Sequence, residues 1–448
     1  MIDRGHLKSI LWALAGRGTS IAAGLSISVL AARLLGPASY GHFLICLTLI
    51  TVAGSTCPLG VNATAVRNLT AVMDGDRRRE SLSMAATIIA AAVIGSIAWL
   101  LIALGPGREA IYRLVGAGTD LLLVTAIALS AVGLGLQFTL AEILRAAGRI
   151  AAASFSAGAL YGLALAIVLA CLAVGPGSAG LDRILVIQAA IMACAAAACL
   201  PLVVNALGGV PRDVAWRRLP RLVWDSLPGG LLYPAFNLLV QIDLLALSYF
   251  RPTELAVYGA ANRLVLLLTV PGVVLEAALA QPYARHLHAG NRAMLQSLAR
   301  EAASIATFAA IPIVAVYVFA GGWLTAHLFG PAFAAAGGYL AILSFGFFAP
   351  AFIGPCMLLL ILGGRQRLAL AVLGGCMIAY SALVLAAARY GGAQAVAISV
   401  AAGIWGIYLA LAITVRNCLG IWIFATPSAA WALVKRGGGI FTRHIMRA

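Results

Sequence analysis

The residues best able to do chemistry in this chain are few, and they stand where charge is costly. Arg17 lies inside an apolar run that begins near Ile10. An arginine within a membrane costs about 2.5–3.5 kcal/mol on insertion scales, so it must face water, a partner or a ligand. Its planar fork of donors matches phosphate oxygens, which makes anion binding one reading. The other is snorkelling, because Arg17 is about two turns from the near end of the run. Asp243 precedes the turn at Arg251 by eight residues, and Arg263 follows Glu254, on the same turn, by nine. At about 1.5 Å rise per residue both sit about 12–14 Å below that surface. Adjacent antiparallel helices would therefore bring them to one depth. They then form either a static ion pair or a gate in which a phosphate or a proton competes for one partner. Asn237, Gln241 and Asn262 add polar groups nearby.

Glu276 stands thirteen residues beyond Arg263, with no local partner in sequence. An isolated intramembrane carboxylate suits coupling to H+ or Na+. The alternatives are a neutral, hydrogen-bonded acid or a partner such as Arg17. Arg33 and Arg67 lie near opposite ends of the first two apolar stretches, as topological anchors or at a cavity mouth. Glu142 and Arg145, three apart, are expected to pair. No His/Asp/Ser grouping suggests a nucleophile, and no GxxxxGK[ST] motif suggests ATP. The eight cysteines lie in or at the ends of apolar stretches without metal-ligand spacing and read as packing residues. Neither a metal nor a cofactor is expected.

The elements that must position these groups follow from composition. Of 448 residues 63% are hydrophobic and 10% charged, and mean hydropathy is +1.02. Soluble domains carry about 25% charged residues, so a soluble enzyme is excluded. A spanning helix needs about 20 mostly apolar residues. Twelve stretches qualify: 10–34, 39–66, 81–104, 119–143, 151–174, 183–207, 223–249, 255–284, 296–319, 333–362, 368–388 and 393–416. The second and eighth are long enough to tilt or protrude. The net charge of +16 tests the count. With the N-terminus inside, twenty-two of the 30 Lys and Arg residues fall on inner segments and six on outer ones. That asymmetry fits twelve spans with both termini cytoplasmic, and makes the basic excess a topology signal rather than a nucleic-acid surface.

The chain also repeats. Tyr40-Gly41 and Tyr258-Gly259 are 218 residues apart, Arg67 and Arg285 again 218, and Gly148-Arg149 and Gly364-Arg365 216. The expected fold is an all-α membrane protein of two six-helix lobes, 1–207 and 223–418, related by a pseudo-two-fold axis along the membrane normal. A cytoplasmic linker, 208–222, joins them. A basic tail, 419–448, with Trp422, Phe424 and Trp431 reads as an interfacial amphipathic segment on membrane lipid.

Leu34-Leu35-Gly36-Pro37-Ala38-Ser39-Tyr40-Gly41 resembles the first outer turn of the polysaccharide and O-antigen flippases. Gln241-Ile242-Asp243 through Tyr258-Gly259-Ala260-Ala261-Asn262-Arg263-Leu264 is similar to their seventh and eighth helices, and Pro271 and 282–285 continue the likeness. Phe329-Gly330-Pro331-Ala332-Phe333, followed by Tyr339-Leu340, resembles their entry into helix ten. The family belongs to the multidrug/oligosaccharidyl-lipid/polysaccharide exporter superfamily. The resemblance implies a transporter of the bacterial inner membrane that moves polyprenyl-pyrophosphate-linked oligosaccharide units by alternating access. Arg17 and Arg263 would then line the cavity with Asn237, Gln241 and Asn262, while Asp243 and Glu276 gate or couple. Polysaccharide polymerase and chain-length machinery would be its partners. A cation-coupled multidrug exporter is the first alternative, and a membrane polymerase or glycosyltransferase the second.

Overall fold

The computed structural model describes residues 4–73, 78–116, 120–175 and 180–426, and among them the chain is helices and turns without a strand. Hydrocarbon offers no partner to a backbone N–H or C=O, so an apolar chain of this composition satisfies itself within helices. Two compact units result, Ala15–Tyr249 and Phe250–Ala448 with Met1–Leu14.

The first unit holds most of α1 (Arg4–Thr56), then α2 (Val61–Met73), α3 (Arg78–Leu104), α4 (Arg108–Val115), α5 (Leu121–Ala146), α6 (Ile150–Ser154), a π-helical turn at Phe155–Ala159, α7 (Leu160–Val174), α8 (Leu181–Leu207), α9 (Leu219–Val240) and α10 (Ile242–Phe250). α1 is two spans, not one. Gly36, at φ 68° and ψ 175°, breaks the helix. Ser28 Oγ and Tyr40 Oη, twelve residues apart, lie 2.6 Å from each other. A straight helix would separate those residues by about 18 Å, so the limbs fold back on one another. The sequence reading places a single long span over 39–66. Instead the helix stops at Thr56, turns through residues 57–60 and restarts at Val61. Pro58 cannot donate a helical hydrogen bond, and Leu59 and Gly60 take positive φ of 52° and 78°. Near α6 the chains approach through small residues: a Cβ at Gly16 would meet Ser154 Cβ at 2.8 Å, and one at Gly162 would meet Ala23 at 3.1 Å. Close approach of this kind drives helix association in lipid, where burial of apolar surface does not.

The first compact unit, Ala15–Tyr249, includes α9 and most of α10. Thr64 and Ser226 hydroxyls lie 2.6 Å apart, and Thr48 donates to Gln241 at 3.2 Å, so polar contacts tie these helices to α1 and α2.

The second unit contains α11 (Pro252–Val265), a 3-10 turn at Leu266–Thr269, α12 (Val270–His288), α13 (Arg292–Phe329), a 3-10 turn at Pro331–Phe333, α14 (Ala336–Ile353), α15 (Cys356–Leu362) and α16 (Gln366–Leu419). The expected span over 255–284 is one crossing, Pro252–Glu276, with a 3-10 turn inside it where Pro271 removes a donor. α16 is again double. Gly392 breaks it at φ 71°, and a Cβ at Gly403 would meet the Tyr380 ring at 2.4 Å, across twenty-three residues of sequence.

Nine helices among the described residues are long and apolar enough to cross a bilayer. Two of them are the folded-back pairs broken at Gly36 and Gly392, which makes eleven crossings. α9 with α10, interrupted at Gln241, supplies the twelfth. The repeat extends beyond the motifs that suggested it. Glycines of positive φ recur at Gly116 and Gly330 (105° and 117°), Gly148 and Gly364 (72° and 70°), and Gly208 and Gly420 (68° and 73°), each ending a helix. Their separations of 214, 216 and 212 residues follow from the numbering.

Of the tail, residues 420–426 are described; 421–426 lie along α13 without regular secondary structure, and Ile421 and Ile423 are buried. Gln296 Oε1 accepts from Trp422 N at 2.9 Å, Arg300 Nε donates to Trp422 O at 3.0 Å, and Ser304 Oγ accepts from Thr426 N at 3.1 Å. Trp431 and the basic residues after it lie outside the described residues.

Candidate functional site

The polar residues singled out by sequence fall into three settings. Arg17 sits on α1 one residue past the Gly16–Ser154 crossing, about 100° around the helix from it, and its side chain is exposed. Among the described residues no ion pair reaches it. Arg33, three residues before the Gly36 break, is exposed as well. Arg67 lies on α2, and its side chain is outside the described residues.

Gln241, Asp243 and Asn237 gather where α9 gives way to α10. The break leaves Gln241 N sharing the Asn237 and Leu238 carbonyls, both at 3.2 Å. Gln241 is half-buried, and its Oε1 accepts the Thr48 hydroxyl. Asp243, 3% exposed, opens α10, and its Oδ1 accepts the Leu244 N–H at 2.8 Å. A carboxylate in the first turn meets unpaired N–H groups and the positive end of the helix dipole, which lowers the cost of burying it. That local reason for Asp243 is not evident from spacing alone.

Arg263 and Asn262 lie near the end of α11 in the second unit, both half-buried. Tyr317 Oη donates to Leu264 O at 2.8 Å and holds this end of α11 to α13. Glu276 lies on α12, more than a third exposed, and lines a cavity with Tyr283, Pro350 and Gly354.

Three arrangements escape a sequence reading. Glu254 Oε2 accepts the Ala393 N–H at 2.5 Å, so an acid at the start of α11 caps the second limb of α16. The only sequence signal is an acid two residues after Pro252. Gln137 Nε2 donates to Met192 O at 2.9 Å and joins α5 to α8. A wide groove of about 650 Å3, lined by Val93, Leu122, Leu129, Leu136 and Leu200, opens in the first unit. Its walls are apolar and offer a charged headgroup nothing. One local expectation holds: Glu142 and Arg145 are ion-paired. Of the cysteines, Cys171 and Cys194 are exposed on α7 and α8 rather than packed within the unit.

The sequence matches no protein-family model and no curated protein. Solved structures do resemble it. An inward-facing multidrug resistance MATE family transporter of the MOP superfamily aligns at TM-score 0.68 and 15% identity, over 90% of this chain and 94% of that one. The lipid II flippase MurJ in an inward closed conformation aligns at 0.69 and 13%, over 91% and 87%. A MOP superfamily transporter from Pyrococcus furiosus, described as having a binding pocket of reverse polarity, aligns at 0.63 and 14%, over 93% and 95%. The chain therefore has the all-helical membrane fold of a multidrug resistance MATE family transporter and of the lipid II flippase MurJ.

Proposed function

We propose that this protein is a flippase for polyprenyl-pyrophosphate-linked oligosaccharide units, serving O-antigen, capsule or exopolysaccharide synthesis in a bacterial inner membrane with both termini cytoplasmic. Arg17 carries the reading: an exposed guanidinium within a membrane span, with no ion partner among the described residues. Such a group is held ready for an anion, and pyrophosphate offers the oxygens its donor fork fits. The likeness to MurJ supports a lipid-linked substrate. Lobes 1–207 and 223–418 rock about the linker 208–222. The headgroup enters between them while the prenyl tail stays in lipid. Arg263, Asn237, Gln241 and Asn262 contact the headgroup; Asp243 pairs with Arg263 until substrate competes, and Glu276 takes the coupling H+ or Na+. Arg33 and Arg67 mark the mouth, and the polymerase receives the product outside.

A second reading has its own observation. Glu276 presents an exposed carboxylate, which suits cationic drugs, and MATE transporters share the fold. Deletion of the gene separates the two. A flippase defect leaves lipid-linked oligosaccharide accumulated on the cytoplasmic leaflet, whereas loss of a drug exporter leaves that pool unchanged and raises dye sensitivity.

A further inference from the structure

The second unit holds a polar cluster around Glu276. α12, α13 and the break between α14 and α15 line a cavity of about 20 Å3, open on the exposed side of Glu276. Glu276 and Tyr283, seven residues apart on α12, line it with Ala303 and Gly354. Seven residues is two turns, so both side chains share one helix face, and side chains lean toward the helix N-terminus, which aims Tyr283 at Glu276. A space of this size takes one water when polar groups line it. Tyr283 is 1% exposed, and its hydroxyl has no hydrogen-bond partner among the described residues. Glu301 on α13 is similar on one side: Oε1 accepts from the exposed Ser297 at 3.2 Å, while Oε2 is buried without a partner there. Tyr283 lies within electrostatic reach of both Glu276 and Glu301. A buried hydroxyl without a partner is a net cost that phenylalanine would avoid, so packing does not account for it.

Other titratable or charged groups face this region. From α13 comes Arg300, whose Nε is engaged by Trp422 O. Cys356 on α15 and Tyr408 on α16 are also within electrostatic reach of Glu276. At the far end of α12 stand Arg285, His286 and His288.

We propose that Glu301, Tyr283 and Glu276 form a proton path through the second unit, with a water in the cavity between the tyrosine hydroxyl and the Glu276 carboxylate. A proton on Glu301 crosses a bridging water to a lone pair of Tyr283 Oη, since the two groups are not in direct hydrogen-bond contact, as the tyrosine's own proton leaves through the cavity water to Glu276. Glu301 ends ionised, Glu276 ends neutral, and Tyr283 is unchanged, so charge is conserved. Ser297 marks the exposed entrance, and the exposed side of Glu276 the exit. This path rests on the proposed role of Glu276 as the coupling group.

The test uses full-length protein in vesicles loaded with a pH-reporting dye, with an imposed potassium diffusion potential to drive proton uptake. Glu276→Gln should abolish uptake, and Tyr283→Phe and Glu301→Gln should slow it about tenfold or more. Tyr283→Phe should melt no lower than the parent protein, because it removes an unpartnered hydroxyl. Wild-type uptake by Tyr283→Phe beside an inactive Glu276→Gln overturns the path and leaves the coupling role standing. Wild-type uptake by Glu276→Gln overturns both. A lower melting temperature for Tyr283→Phe shows that the hydroxyl is structural and also overturns the path.

Discussion

The Tyr40 hydroxyl lies 2.6 Å from the Ser28 hydroxyl, and that contact holds the first two spans together across the Gly36 break. Tyr40 is fully buried and Ser28 1% exposed. A hydrogen bond of this kind contributes about 0.5–1.5 kcal/mol. Tyr40→Phe and Ser28→Ala should each lower the melting temperature in detergent. The double variant should lose less than the two singles combined, since both singles break the same bond. Additive losses would mean that the two groups act separately.

Glu254 does for the last span what Tyr40 does for the second. Its carboxylate caps Ala393 just past Gly392, and a Cβ at Gly392 would come within 3.0 Å of Glu254 Oε2. Loss of a cap costs about 0.5–2 kcal/mol. Glu254→Ala should destabilise by that order, and Glu254→Gln, which keeps an acceptor, by less. Equal losses in thermal unfolding would argue that charge, not the hydrogen bond, matters.

The segment 420–426 gives a prediction about the tail. With Ile421 and Ile423 buried and three side chains of α13 bonded to its backbone, it belongs to the second unit. Replacing Ile423, 1% exposed, by Asp buries an unpaired charge and should expose residues after Leu419 to protease. An Ile423→Asp variant that keeps the parent protein's protease resistance after Leu419 would contradict this packing.

Asp243 and Arg263 test the gate. Asp243→Arg with Arg263→Asp should recover transport that each single change abolishes, if the two pair during the cycle. No recovery, with normal membrane insertion of all three variants, would assign Asp243 to its helix-capping role alone.

The spans were legible in the sequence because hydrocarbon leaves an apolar chain one option, and the repeat because helix-ending glycines such as Gly148 and Gly364 recur at fixed spacing. The pairing of Glu142 with Arg145 was legible because it is local. What escaped is long-range. Thr48 meets Gln241 across 193 residues, Glu254 caps a helix 139 residues on, and Arg300 meets Trp422 across 122. None of these has a periodicity to read, and the turn at Pro58 split one long stretch into two helices.

The most direct measurement is translocation of a fluorescent polyprenyl-pyrophosphate oligosaccharide in proteoliposomes, read by protection from a membrane-impermeant quencher. The parent protein should move the lipid well above the protein-free rate, Arg17→Ala should fall to that background, and Arg17→Lys should keep part of the activity. Background translocation by the parent protein, together with uptake of a cationic dye that Arg17→Ala leaves intact, would contradict the flippase role and favour the drug-exporter reading.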